Sequence, residues 1–252
     1  MSQRRGPLEA TLAFLDFFAA VLRCLVTGPH FWLETLRTMD ILMRRCLIPV
    51  GLAVAPVGAV IALQGVGVFR MFGVEGLLSS MLATAIFRQY SPALASVMVA
   101  AQAGSSIAAR IGTMKVRGQI DALAVMSVDP LRYVVVPGFI ACLIIAPLLN
   151  VLTTALGLVS GWFFAVVLAR VDHGAFVDNL YSQVTVTDLW IGLAKCTLFG
   201  GAIGLIAGFA GLRTVGGAAG VGRAANSTVV TTIIMILVID YFISLLLLWL
   251  GV

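Results

Sequence analysis

Charged residues are scarce in this sequence. Asp, Glu, Lys and Arg together make up 11% of the 252 residues, whereas 61% are hydrophobic and the mean hydropathy is +1.09. Soluble domains carry about 25% charged residues, so this composition excludes a chain that folds mainly in water. The apolar runs are long, and long runs favour helices that satisfy their own backbone hydrogen bonds in hydrocarbon. The expected fold class is therefore all-α, as a polytopic membrane protein.

Metal-binding and catalytic groupings are also lacking. The four cysteines are scattered, form no C-x-x-C pair and have no neighbouring histidine, so we expect them to be small buried hydrophobic residues. The two histidines are isolated, and no Ser/His/Asp or Cys/His grouping emerges. The glycine-rich stretch at 216–222 fits neither phosphate-binding glycine motif. We expect no cofactor, no metal and no enzymatic activity in this chain.

Apolar residues are abundant enough to form about five transmembrane spans of ~20 residues each. We divide the chain into an N-terminal interfacial helical region at 1–46 and a transmembrane domain at 47–252. A helix at 77–87 on the far side of the membrane should precede the second span. The predicted spans are Leu47 to Phe69, Pro92 to Ala109, Tyr133 to Leu168, Leu189 to Leu212 and Thr228 to Leu250.

The N-terminal segment from Leu8 to Val26 has helical periodicity without the unbroken apolar core of a span. Its apolar residues recur on one face, and Glu9, Asp16 and Arg23 fall on another. We expect this helix to lie in the membrane interface and to end at Gly28 and Pro29.

Basic residues are unevenly distributed about the spans. Near the span ends, twelve Lys and Arg lie before residue 47, at 110–132 and at 213–223, against three at Arg70, Arg88 and Arg170. Because cytoplasmic loops are enriched in basic residues, we predict a cytoplasmic N-terminus in the inner (plasma) membrane. The polar loop from Arg170 to Asp188 should then be outside.

Hydropathy falls between Arg110 and Arg132, although apolar residues keep helical spacing there. This pattern predicts a cytoplasmic amphipathic helix at about 110–128 that a separate ATPase pushes to move the spans. Its polar residues are the candidates for ATPase coupling: Lys115, Arg117, Gln119 and Asp121. The alternative is a solvated loop that lies on the lipid headgroups.

Ionisable residues inside predicted spans need water, a protein partner or a substrate headgroup, because they cost about 2.5 to 3.5 kcal/mol on insertion scales. Arg88 is the candidate for binding a lipid phosphate or carboxylate, with snorkelling to the outer interface as the alternative. Lys195 and Asp240 are expected to pair between the fourth and fifth spans, most simply in a structural role. Asn150 is a further polar residue inside a span.

The fourth predicted span carries small residues at an interval of four, namely Gly192, Cys196, Gly200, Gly204 and Gly208. Such a ladder predicts close packing against another helix.

Residues 112–137 read GTMKVRGQIDALAVMSVDPLRYVVVP, which resembles the signature of the MlaE/YrbE permeases associated with MCE proteins. The likeness extends through RQYSP at 88–92, AGSSIAA at 103–109, GVGRAA at 220–225 and TVV at 228–230. It therefore covers most of the chain after the N-terminal helix.

The resemblance implies an ABC lipid transporter in which two permease chains pair, two cytoplasmic ATPases drive them, and MCE proteins form a periplasmic conduit. It implies that the helix matching 112–126 couples to the ATPase. It also implies a lipid pocket that opens toward the outer face, and we assign Arg88, Gln89, Tyr90 and Gln64 to this pathway. The substrate would be a phospholipid, a fatty acid or a sterol-like lipid.

Five positions depart from the charges usual in the resembled family: Gln89, Gln102, Arg110, Gly118 and Gly138. We therefore expect this chain to be one member of a heteromeric pair of permeases. Two alternatives remain: a secondary transporter that uses Arg88, Lys195 and Asp240 for ion coupling, and a scaffold subunit beside an active permease.

Overall fold

The computed structural model describes residues 7–26 and 32–250, and helices dominate this part of the chain. The helices are α1 (Pro7–Val26), α2 (Trp32–Met71), α3 (Leu78–Val116), α4 (Gln119–Val125), α5 (Leu131–Leu168), α6 (His173–Gln183), α7 (Val186–Leu212) and α8 (Gly217–Trp249). One short 3₁₀ turn, Glu75–Leu77, lies between α2 and α3.

Five of these helices, α2, α3, α5, α7 and α8, are long and apolar enough to cross a membrane. The all-α polytopic fold predicted from the sequence is confirmed. The number of spans also matches the prediction, although several helix boundaries differ from it.

The first span begins well before its predicted start. Helix α2 runs for 40 residues and remains helical through Pro49 and Pro56, and residue 46 lies inside it. The predicted break at Gly28 and Pro29 lies outside the described residues.

The polar residues at 88–91 were predicted to separate a helix at 77–87 from a second span that begins at Pro92, and this prediction was wrong. Helix α3 is continuous from Leu78 to Val116. It passes through this region as a π-helical segment, Ile86–Tyr90, and contains a second π segment at Ala100–Gly104. A π turn accommodates an extra residue without ending the helix, which explains how the polar run fits inside a span.

The single amphipathic helix predicted at about 110–128 is divided in two. Residues 110–116 form the end of α3, and Gly118 then adopts a left-handed backbone conformation with φ of 70° before α4 begins. Glycine has no Cβ and takes this conformation without steric cost. The chain therefore turns at Gly118, and α4 is a separate helix of seven residues.

Two predicted loops are largely helical. The loop at 170–188, predicted to be outside, contains α6, which Asp172 caps by accepting a hydrogen bond from the Ala175 backbone N–H at 2.8 Å. The glycine-rich link at 213–227 is helical from Gly217 onward, because α8 begins eleven residues before the predicted start of the fifth span. The turn before α8 uses positive φ angles at Gly216 and Gly217.

The described residues divide into two compact units. Unit 1 comprises the chain up to Leu42, Ala100–Cys142 and Gly201–Ile233; unit 2 comprises Met43–Val99, Leu143–Gly200 and the chain from Ile234 onward. The interfacial region at 1–46 and the transmembrane domain at 47–252 stay a prediction.

Helices α5 and α7 pack closely against each other in unit 1. A Cβ added at Gly204 would lie 2.7 Å from the Phe139 Cα, and one at Gly208 would lie 2.7 Å from the Val135 side chain. The small residues of α7 therefore bring α5 within backbone contact, as the four-residue ladder predicted.

Helix α1 packs on unit 1 through Phe14 and Phe17, whose rings lie 5.2 and 5.4 Å from the ring of Phe209. The apolar face predicted for the interface remains exposed, with Leu12 and Leu15 61% and 58% accessible. An exposed apolar stripe on a helix is suited to the membrane interface, so the interfacial position stays a prediction.

Candidate functional site

The polar centre of unit 2 is a buried ion pair between α7 and α8. The Lys195 Nζ lies 3.0 Å from the Asp240 Oδ1, and the two side chains are 2% and 5% exposed. The structure thus brings together the two residues whose pairing the sequence predicted. An isolated charge in hydrocarbon is costly, so each of these two residues needs the opposite charge of the other to lie inside its span.

Further contacts satisfy both members of this pair. The Lys195 ammonium also donates to the Arg88 backbone carbonyl at 3.1 Å and to the Ser244 hydroxyl at 2.9 Å. The second carboxylate oxygen of Asp240 accepts from the Gln89 amide at 2.5 Å. One positive and one negative charge are therefore balanced, and the neutral Gln89 adds a donor without adding a charge.

Arg88 lies next to this pair and has a partner of its own. Its Nε is 2.6 Å from the Asp188 Oδ1, with the arginine side chain 39% exposed and the aspartate 7% exposed. Asp188 also accepts from the Thr185 hydroxyl at 2.8 Å and the Thr185 backbone N–H at 3.1 Å. This reciprocal arrangement is a capping box at the start of α7, which holds Asp188 in place for Arg88.

A second buried polar cluster surrounds Asn150 on α5. The Ser91 hydroxyl lies 2.8 Å from the Asn150 Oδ1, 2.5 Å from the Thr153 Oγ1 and 2.7 Å from the Thr154 Oγ1. All four residues are buried. They join α3 to α5 directly after the π segment, which is consistent with a structural role for Asn150.

The π segment Ile86–Tyr90 is thus held by three neighbouring helices, α5, α7 and α8, through residues at or beside it. Tyr90 is 44% exposed. Gln64 is exposed on α2, and among the described residues no hydrogen bond connects it with the Lys195 network. Of the four expected pathway residues, three therefore lie in the π segment, and Gln64 lies on α2 outside the Lys195 hydrogen-bond network.

The predicted coupling residues lie around the turn at Gly118 in unit 1. The Lys115 Nζ is 2.9 Å from the Asp121 Oδ1, so this pair bridges the end of α3 and the start of α4. Arg117 and Gln119 are exposed. The end of α4 also presents apolar side chains, since Val125 is 86% and Met126 65% exposed.

Several contacts were not foreseen from the sequence. Asp188 was expected in an outer loop, although the T-x-x-D pattern at 185–188 is a helix-start signal that would have placed it on α7. Ser244 is four residues after Asp240 and therefore shares its helix face. Nothing in the sequence marked Val125 as exposed, because its spacing is that of an ordinary apolar face.

Comparison with known proteins identifies the family. The family model described as "Permease MlaE" matches residues 35–246. The chain belongs to the MlaE permease family. The resemblance found in the sequence is confirmed, and the chain is an ABC transporter permease rather than a secondary transporter.

Relatives of this MlaE permease occur in bacteria and in a plant. A probable ABC transporter permease protein of Rickettsia typhi is 36% identical over 74% of this chain and 72% of its own length. Another probable ABC transporter permease protein, from Synechocystis, is 34% identical over 75% and 72%. The chloroplast protein TRIGALACTOSYLDIACYLGLYCEROL 1 of Arabidopsis thaliana is 30% identical over 89% of this chain and 64% of its own.

Two of the five positions expected to depart from the family's usual charges have a structural role in this MlaE permease. Gly118 has the positive φ that favours glycine, and Gln89 completes a network that is already electrically neutral. Arg110 donates to the Thr38 hydroxyl at 3.3 Å within unit 1.

Proposed function

We propose that this chain is the transmembrane subunit of an ABC lipid transporter that moves phospholipid, fatty acid or sterol-like lipid between the inner membrane and a periplasmic conduit of MCE proteins. Its membership of the MlaE permease family supports the transport role. The name of the Arabidopsis relative contains that of a glycolipid, which supports lipid as the substrate class.

The exposed end of α4 is the observation that carries the coupling proposal. Val125 and Met126 place two largely exposed apolar side chains at the tip of a short helix that begins directly after a glycine turn. Apolar residues at the tip of a protruding helix fit a groove on a partner protein. We infer that this partner is the cytoplasmic ATPase, and that α4 transmits its closure to the spans.

Polar residues at the turn fit the same role. The Lys115–Asp121 pair connects the end of α3 with the start of α4, whereas Arg117 and Gln119 are exposed and available to a partner. A lever needs a rigid attachment as well as a free contact surface. In this scheme ATP binding moves α4, and the cavity between two paired permeases closes on the lipid.

The lipid pathway proposed for unit 2 includes Arg88, Gln89 and Tyr90. Arg88 already pairs with Asp188, so a lipid phosphate would share or replace that carboxylate. A guanidinium has five donors, and bidentate pairing with a second anion is compatible with the 39% exposure of this side chain. The second permease is proposed to be a paralogue rather than an identical copy.

Replacing the apolar tip tests the coupling proposal. Val125→Asp places a charge in the proposed ATPase contact, and we expect it to reduce co-purification of the ATPase and ATP-driven lipid transfer together, by about tenfold or more. The matched control is Phe72→Asp, which changes a residue that is 74% exposed after α2. This control should leave ATPase association unchanged.

The polar residues are tested separately. Arg117→Ala with Asp121→Ala should leave the spans folded while transport is uncoupled from ATP hydrolysis. Normal lipid flux in this double variant would show that α4 is not the lever. Two identical copies of this chain in the purified complex would refute a heteromeric pair.

A further inference from the structure

Unit 1 contains a cavity of about 460 Å³ between the end of α7 and the start of α8. Two arginines line it, Arg213 immediately after α7 and Arg223 in the second turn of α8. The family relationship does not explain this cavity, and it shares no residue with the coupling surface or with the Lys195 network.

Both arginines lack an acidic partner. Among the described residues neither Arg213 nor Arg223 forms a salt bridge or donates a hydrogen bond, and both are exposed. The sequence has no Asp or Glu between Asp188 and Asp240, so neither helix offers a carboxylate nearby. Two guanidinium groups on one cavity without a counter-charge form a site for an anion.

Neighbouring groups orient the two guanidinium groups. Arg213 lies over the Phe209 ring, with its Cζ 4.1 Å from the ring centroid, so its donors remain free around the edge of the stack. A Cβ added at Gly216 would lie 3.1 Å from a terminal nitrogen of Arg223, which places that guanidinium against the glycine turn. The N-terminus of α8 begins at the same turn and adds a favourable dipole for an anion.

The remainder of the cavity is suited to a hydrocarbon chain. On α7 its lining continues from Arg213 back through Ala210 and Phe209 to Ile206, and on α8 it continues from Arg223 through Ser227 to Thr231. Residues three or four apart lie on one helix face, so the two faces form a groove that is basic at the helix ends and less polar inside the spans.

We propose that this groove binds the headgroup phosphate of an anionic phospholipid, with Arg213 and Arg223 as its ligands and an acyl chain lying beside Phe209 and Ile206. A basic end joined to an apolar groove matches a phospholipid better than a soluble anion, which would leave the apolar part unused. An acidic protein segment would likewise leave the apolar part of the groove unoccupied.

Lipid retention by the intact transporter complex tests this proposal. The complex is purified in detergent with equal amounts of dioleoylphosphatidylglycerol and dioleoylphosphatidylcholine, and the retained lipids are measured by native mass spectrometry. We expect the wild-type protein to be enriched in phosphatidylglycerol, and Arg213→Gln with Arg223→Gln to reduce that enrichment by about tenfold. Arg213→Lys with Arg223→Lys should retain part of it, because the positive charges remain.

Arg37→Gln is the matched control, since it removes an exposed arginine of unit 1 that lies outside both the cavity and the proposed coupling surface. An equal loss in this control would overturn the proposal, because the effect would then come from net charge alone. Unchanged retention in the double Gln variant would also overturn it, and weaker association with a protein partner in that variant would assign the groove to that partner. Loss of the enrichment in excess inorganic phosphate would show a site for free anions instead of lipid.

A second measurement does not depend on the variants being stable. Phosphatidylglycerol should raise the thermal unfolding midpoint of the wild-type complex more than phosphatidylcholine does, because a ligand of the native state stabilises it. Equal shifts with the two lipids would contradict the proposal.

Discussion

Lys195 and Asp240 form a salt bridge in which the Nζ and Oδ1 atoms are 3.0 Å apart and both residues are almost wholly buried. Lys195→Met should destabilise the protein by about 3 to 5 kcal/mol, because it leaves the Asp240 carboxylate buried without its cation. Adding Asp240→Leu should recover most of this loss, since an apolar pair suits an apolar span. Thermal unfolding of the detergent-solubilised protein measures both effects.

The Arg70–Glu75 pair provides a control for the buried salt bridge, because its side chains are 54% and 36% exposed. Glu75→Gln should change the free energy of unfolding by only about 0 to 1 kcal/mol, because it removes this exposed pair and leaves the hydrogen bond from Arg70 to the Ala169 carbonyl in place. Equal instability of the Lys195→Met single variant and the double variant would mean that the pair does not act through charge compensation.

Gln89→Glu should also destabilise unit 2. The Gln89 amide donates to the Asp240 carboxylate at 2.5 Å, so a glutamate would replace that donor with a second negative charge. One lysine would then face two carboxylates. Asp240→Asn in the same chain should restore the unfolding midpoint, because it returns the network to one charge of each sign. A Gln89→Glu variant as stable as the wild type would contradict this account.

Gly204→Ala tests the close approach of α7 to α5. The new Cβ would lie 2.7 Å from the Phe139 Cα, and the backbone has to move to make room. We expect a loss of about 1 to 3 kcal/mol in unfolding free energy. Gly222→Ala is the control, because nothing lies within 4 Å of its added Cβ. This change should instead stabilise α8 by about 0.5 to 1 kcal/mol.

Cys24 should react slowly with maleimide at neutral pH. Burial, and then the Asp129 carboxylate that accepts from the thiol at 3.4 Å, raise the pKa of Cys24 and so lower its thiolate fraction. Its alkylation rate should increase as the pH rises. Asp129→Asn should accelerate labelling at neutral pH, because it removes the negative charge beside the sulfur.

The other cysteines, Cys46, Cys142 and Cys196, are buried. Cys24→Ser should therefore abolish most labelling of the folded protein and identifies the reacting site. A rate unaffected by Asp129→Asn would show that the carboxylate does not control this thiol.

Composition and periodicity were sufficient to predict the helical class and the number of spans. In hydrocarbon the backbone N–H and C=O groups must bond to each other, and few structures achieve this. They were also sufficient to predict the Lys195–Asp240 pair, since a buried charge needs a partner of opposite sign. The ladder from Gly192 to Gly208 likewise predicted close packing against another helix, because only small residues allow that approach. At Gly204 and Gly208 this helix is α5.

The π segment in α3 and the turn at Gly118 were harder to predict. Polar residues at 88–91 resemble the end of a helix, but a π turn keeps them inside one, and hydropathy does not distinguish the two. Gly118 was read as part of an amphipathic helix, although its backbone conformation divides α3 from α4. The exposure of Val125 depends on that division, so it could not be inferred from spacing.

The π segment at Ile86–Tyr90 has one more consequence for the Lys195 ammonium. A widened turn leaves a carbonyl oxygen available, and the Arg88 carbonyl accepts from Lys195 at 3.1 Å. This ligand belongs to the main chain, so it persists whichever amino acid occupies position 88. A substitution at position 88 can therefore change the charge and the partner of that side chain, while the buried Lys195 ammonium keeps its main-chain oxygen.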